Sequence, residues 1–155
     1  MIIIGLDPGI ARTGYGIIDT AAPFQFVRCG CITTLPIYPI EQRLDIIATD
    51  LQALLTEHNP DIAVVEEIFF GKNVKTAVST SHARGVLLQT LCKNHVTIQE
   101  LTPLQIKSRL TGYGAATKTQ IQNVIKQQLH LSAVPKPDDA ADALAAALCA
   151  EQISL

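Results

Sequence analysis

Residues 2–18 read Ile-Ile-Ile-Gly-Leu-Asp-Pro-Gly-Ile-Ala-Arg-Thr-Gly-Tyr-Gly-Ile-Ile. Ile2–Leu6 is a short, continuous apolar run, the pattern of a strand buried in the middle of a sheet. Asp7-Pro8-Gly9 ends it, and after Gly14 a second strand, Tyr15–Ile18, follows closely enough to return antiparallel. A carboxylate therefore stands at the carboxyl end of a central strand. That is where open α/β sheets build their sites.

Working outward, Phe24–Thr33 reads as a third strand, with Cys29 and Cys31 on one of its faces, and Pro36 and Pro39 mark a loop. Ile40, Leu44, Ile47, Leu51 and Leu54 recur at helical spacing, which predicts a helix over Ile40–His58 that Asn59-Pro60 stops. Ile62–Val65 is a buried strand ending in Glu66-Glu67. A helix over Thr76–Asn94 carries Arg84, and Val96–Leu101 is the last strand. Thr102-Pro103-Leu104-Gln105 and Thr117-Lys118-Thr119-Gln120 are both capping boxes. They open helices that run to Gly112 and through Leu129. A final helix begins near Asp138. This order predicts an α/β fold with a five-stranded mixed sheet flanked by helices. Its early strands should be antiparallel and the strands that follow helices parallel. With 155 residues, 48% of them apolar, and no repeat or linker, the expected organisation is one domain over residues 1–155.

The final helix opens Pro137-Asp138-Asp139-Ala140-Ala141-Asp142-Ala143-Leu144. Asp is favoured at a helix N-cap and in its first turn, which accounts for two of the acids. Asp142 lies beside the apolar face of Leu144, Ala145 and Leu148 and needs another reason. Asp139 and Asp142 are three apart and share a face. If the strands ending in Asp7 and Glu66 are parallel neighbours, those two acids lie side by side. A last helix packed on the sheet would then bring Asp139 and Asp142 to the same place. Four such acids would repel and raise one another's pKa, and no lysine nearby in sequence compensates them. Carboxylate oxygens are hard ligands suited to Mg²⁺ or Mn²⁺. Two such ions ~4 Å apart suit phosphodiester cleavage.

The net charge of −2 gives no hint of nucleic acid, but its distribution does. Residues 72–136 hold nine lysines and arginines against one acid, Glu100. A basic face beside an acidic site fits a nucleic-acid partner; solvated helix-surface lysines fit the same numbers. The four cysteines read as reduced thiols, because Cys29-x-Cys31 and Cys92-x-x-His95 are poorly spaced for zinc. No apolar run approaches a membrane span or a secretory signal, so a cytoplasmic protein without a membrane partner is expected.

The chain resembles the RuvC family of bacterial Holliday-junction resolvases. The resemblance runs through Gly5-Leu6-Asp7-Pro8-Gly9, Thr13-Gly14-Tyr15-Gly16, Glu66, Lys72-Asn73, Ala83-Arg84-Gly85-Val86, Lys107 and Asp139-Ala140-Ala141-Asp142-Ala143-Leu144-Ala145. It covers nearly the whole chain in order. It implies a ribonuclease-H-like fold and a homodimer that nicks two opposed strands of a four-way DNA junction, with two Mg²⁺ per site that Mn²⁺ can replace. It also implies work beside the RuvA–RuvB branch-migration machinery. The family's four metal carboxylates fall on Asp7, Glu66, Asp139 and Asp142, which leaves Asp138 as the helix cap. Glu67 departs from the Gln expected there and reads as an exposed neighbour or an outer-shell group. Lys107 and Lys118 match basic positions tied to DNA binding and catalysis. Lys118 also sits in a first helical turn, where a cation opposes the dipole unless an anion binds. Phe69 matches the junction-facing aromatic, with Phe70 the alternative, and Lys72, Asn73 and Arg84 fall at DNA-facing positions. Arg84 could pair with phosphate or with Glu67. The Thr76–Asn94 helix is the interface the resemblance suggests.

Three rival readings fit the residues less well. The loop from Asp7 to Gly16 also resembles the first phosphate loop of actin-like kinases, but that fold needs a second duplicated domain. A YqgF-like RNA-processing nuclease of the same superfamily is opposed by Phe69, Arg84 and Lys107. A junction-binding module without catalysis is opposed by the intact set of acids.

Overall fold

The computed structural model describes residues 1–21, 23–68 and 74–151. Among these residues five strands and five helices follow in the expected order: β1 Ile2–Asp7, β2 Arg12–Asp19, β3 Gln25–Thr33, α1 Ile40–His58, β4 Ile62–Glu66, α2 Val74–Lys93, β5 Thr97–Leu101, α3 Pro103–Thr111, α4 Lys118–Gln128 and α5 Asp138–Leu148. The sheet order is β3-β2-β1-β4-β5. β1 pairs antiparallel with β2, and β2 with β3; β1 and β4 are parallel, as are β4 and β5. The early meander and the later crossovers are therefore as the sequence predicts. β2 begins at Arg12, earlier than its apolar pattern suggests. Pairing with β1 and β3 carries the strand through glycines that would not form one alone.

The pleat divides β1 between two cores. Ile4 and Leu6 point to the layer of α1 and α2, with Ile47, Leu51, Leu87 and Leu91. Ile3 points to the layer of α3, α4 and α5, with Ile106, Ile121, Ile125 and Leu144. By the period of two, Gly5 and Asp7 share the face of Ile3, and in β4 Glu66 shares the face of Ile62 and Val64. Both acids are thus directed toward α5.

α5 is buried nearly all round: Ala140, Ala141 and the run Ala143–Ala147 are 0–2% exposed. The sequence suggests one apolar face. The helix instead lies flat on β1 and β2 and beneath α3 and α4. Glycines permit this approach. A Cβ on Gly5 would overlap the Ala143 carbonyl, and one on Gly14 would overlap the Asp139 carbonyl. Both predicted capping boxes form, with Thr102 and Gln105 reciprocal at α3 and Thr117 and Gln120 at α4. No helix among the described residues is long and apolar enough to cross a membrane.

Candidate active site

Leu6 pairs with Val65 across the parallel β1–β4 ladder, so the next residues, Asp7 and Glu66, stand side by side at the strand ends. A cleft of about 310 Å³ opens there, lined by Asp7, Glu66, Lys107, Lys118, Asp142 and apolar groups that include Ile106 and Ile121. Three of the four predicted acids and both predicted lysines converge on it. Each comes from a different element: β1, β4, α3, α4 and α5.

Asp139 does not line the cleft. It sits one helical turn before Asp142, with its backbone carbonyl against Gly14, the β1-facing partner of Asp7. Its carboxylate lies 3.8 Å from the Arg12 guanidinium. The sequence reading did not single out Arg12. The sole signal was a basic residue in the turn after Asp7, and its partner is 127 positions away.

The electrostatics are those of crowded acids. Burial pushes the Asp7 carboxyl up to about 8, and Glu66, Asp142 and Asp139 add to the shift while Lys118 opposes it. Burial and then Asp142 raise Glu66 to about 7, with Lys107 opposing. Asp142 is raised by burial and by the charges of Asp138 and Asp139, against the pull of Lys118. The Lys118 ammonium is 3.3 Å from Asp142 and 3.2 Å from Asp138. Burial works against its charge, but hydrogen bonding and attraction to those two carboxylates more than offset it, and its pKa rises. A long-range lysine thus does compensate the acids in part, which local sequence gave no sign of.

Two readings need correction. Asp138 is not the helix cap. Pro137 holds the N-cap position with no side-chain hydrogen bond, and Asp138 is the first helical residue. Its carboxylate pairs with Lys118 and Lys136, each at 3.2 Å, and these contacts lower its pKa. Arg84 does not pair with Glu67; its guanidinium meets Glu100 of β5. Glu100 is reachable because α2 packs beside β5. Glu67 instead lines a small cleft with Ile68, Ser81, Arg84 and Gly85. Phe69, Phe70, Lys72 and Asn73 lie outside the described residues. The cysteines are free thiols, with no zinc grouping among the described residues.

Among the described residues, no three carboxylate, imidazole or thiol groups are already gathered in coordinating positions. The donor set still fits a divalent metal. Asp7 and Glu66 are adjacent, partly buried acids whose charges the two lysines only partly balance. Asp142 shares their cleft, and hard oxygen donors of this kind take Mg²⁺ or Mn²⁺.

The family model described as crossover junction endodeoxyribonuclease RuvC matches residues 3–150. A crossover junction endodeoxyribonuclease RuvC from Caldicellulosiruptor saccharolyticus is 47% identical over 151 residues, covering 96% of this chain and 91% of the relative. One from Alkaliphilus oremlandii is 48% identical over 150 residues, covering 96% and 92%. The structure of T. thermophilus RuvC in complex with Holliday junction substrate superposes with a TM-score of 0.91 at 30% identity, over 96% of this chain and 92% of that one. A yeast mitochondrial Holliday junction resolvase shares the fold at a TM-score of 0.63 and 14% identity, over 95% and 77%.

Proposed function

The chain belongs to the RuvC family of crossover junction endodeoxyribonucleases, and from this premise we propose how its cleft cuts a four-way junction. The protein is a Holliday junction resolvase, a metal-dependent nuclease of DNA recombination and repair. We assign the catalysis to Asp7, Glu66, Asp139 and Asp142, acting together on one metal centre that takes two Mg²⁺ or, in their place, two Mn²⁺. The supporting observation is the juxtaposition of Asp7 and Glu66 at neighbouring strand ends, with Asp142 facing them across the cleft. Bound ions of this kind supply an activated water and charge stabilisation at the leaving oxygen.

The chain's own groups do the rest. The four carboxylates concentrate negative charge where cations are wanted, and burial sharpens that demand. Ile106, Ile121 and Ala145 wall the cleft with apolar surface, which limits water around it. Lys107 faces the same cleft from α3 and is placed to hold a strand phosphate beside Glu66. Lys118 stands in the first turn of α4, where the helix N-terminus and its own ammonium favour an anion. Phe69 follows Glu66 by three residues and serves as the aromatic that enters the junction, with Lys72, Asn73 and Arg84 on the flanking phosphates. One domain over residues 1–155 carries this site. Two copies, paired through the α2 helix, would present two clefts to opposed strands and make paired symmetric nicks. The setting we propose is the cytoplasm, beside the RuvA–RuvB complex.

The test is nicking of a synthetic four-way junction with and without Mg²⁺, comparing the parent with Asp142→Asn. The substitution keeps shape and removes one charge from the cleft. Nicking should disappear without the metal and in the variant, while junction binding persists. Equal cleavage rates for variant and parent in Mg²⁺ would sink the assignment.

A further inference from the structure

We propose that Arg12 competes with the divalent cation for Asp139 and so sets the cation concentration at which the fourth carboxylate engages. The inference rests on the reading of Asp139 as a metal ligand. Three observations carry it. Arg12 opens β2 just past the turn that follows Asp7, and its Nη1 lies 3.8 Å from Asp139 Oδ2. Asp139 is thereby the one acid of the four that stays outside the cleft lining. Its backbone is pinned, because its carbonyl rests on Gly14, so bringing the carboxylate from Arg12 to the cleft would take side-chain rotation alone. The Arg12 side chain is 57% exposed and Asp139 36%. An exposed, long ion pair of this kind is weak, which leaves it open to displacement by a doubly charged ion.

Lys118 stands in the corresponding relation to Asp142 on the other side of the cleft, at 3.3 Å. That lysine lines the cleft, whereas Arg12 does not. Arg12 therefore acts on the site through Asp139 and is a positioning residue, not a catalytic one.

The experiment is a titration of the intact protein with Mn²⁺ alone, reading free Mn²⁺ by electron paramagnetic resonance at constant ionic strength. The parent is compared with Arg12→Gln, Arg12→Lys, Asp139→Asn and the Arg12→Gln/Asp139→Asn double variant. Arg12→Gln should bind Mn²⁺ roughly 3–10-fold more tightly, since a competing unit charge is gone. Arg12→Lys, which keeps the charge, should stay within about twofold of the parent, and the Gln effect should fall below about twofold in the Asp139→Asn background. Arg12→Gln with parental or weaker affinity overturns the proposal, as does Arg12→Lys behaving like Arg12→Gln. A merely structural Arg12 predicts a lower melting temperature in EDTA with unchanged Mn²⁺ affinity. If Asp139→Asn weakens Mn²⁺ binding while Arg12→Gln does nothing, only the role of Arg12 fails. If Asp139→Asn binds Mn²⁺ like the parent, the ligand assignment itself fails, and this inference with it.

Discussion

Replacing Asp7 with Asn should make the metal-free protein more stable. The Asp7 carboxyl is shifted from 3.8 to about 8, chiefly by burial and then by the charges of Glu66, Asp142 and Asp139. Its folded pKa lies above its unfolded pKa, so its contribution to stability is complete below pH ~4 and is lost as pH rises toward 8. At pH 7 the unfolded chain has released this proton while the native state retains it. The gap from 3.8 to 7, at ~1.36 kcal/mol per unit, is worth up to about 4 kcal/mol. Asn carries no such charge and escapes the loss. For a chain of this size that converts to a melting temperature higher by about 8–16 °C at most. The assay is a set of thermal melts of parent and Asp7→Asn in EDTA from pH 4 to pH 8. The two curves should lie close together at pH 4 and separate as pH rises. Adding Mg²⁺ should raise the parent and leave the variant nearly still. A variant no more stable than the parent at pH 7.5, or a difference that ignores pH, would refute the reasoning.

Lys107→Ala and Lys118→Ala should each flatten the dependence of junction affinity on log salt by about 1, read from binding isotherms across salt concentrations. Unchanged slopes and cleavage rates would return both to ordinary surface lysines. Gly14→Ala places a Cβ against the Asp139 carbonyl and should cost about 1–3 kcal/mol in urea denaturation while lowering nicking. Parental stability and activity would mean that α5 is not held there. Phe69→Ala should melt like the parent yet lose most cleavage, with Phe69→Trp keeping a good part; a stability loss of ~3–5 kcal/mol would mark the ring as core.

The frame of the site was legible because strand ends are announced by chemistry. An apolar run stops at Asp7 and another at Glu66, and parity then decides which layer each acid faces. The spacing of Asp139 and Asp142 was equally plain on a helix with an apolar flank. What stayed hidden were pairings between side chains distant in sequence. Lys118 reaches Asp142 and Asp138, Arg12 reaches Asp139, and Arg84 reaches Glu100 only once the layers are stacked. Asp138 misled because a carboxylate just after proline suits a cap, whereas here two lysines outbid the backbone for it. The all-round burial of α5 was hidden for a related reason. Alanine signals helix without signalling which faces will be covered, and the glycines that admit it lie on other strands.

The seating of α5 has a consequence for how the protein breathes. Its alanines touch both the sheet and the overlying helices, so beyond the partly exposed Asp138, Asp139, Asp142 and Leu148 the helix offers little face from which to peel away. In hydrogen exchange its central amides should open only with the whole molecule, as the slowest-exchanging set. Two of the four acids ride on that helix. Partial opening elsewhere, at the α1 or α2 layer for example, would leave their spacing untouched, and no partly unfolded form could present them in a different register. Metal-site geometry and the integrity of the fold are then lost in one cooperative event.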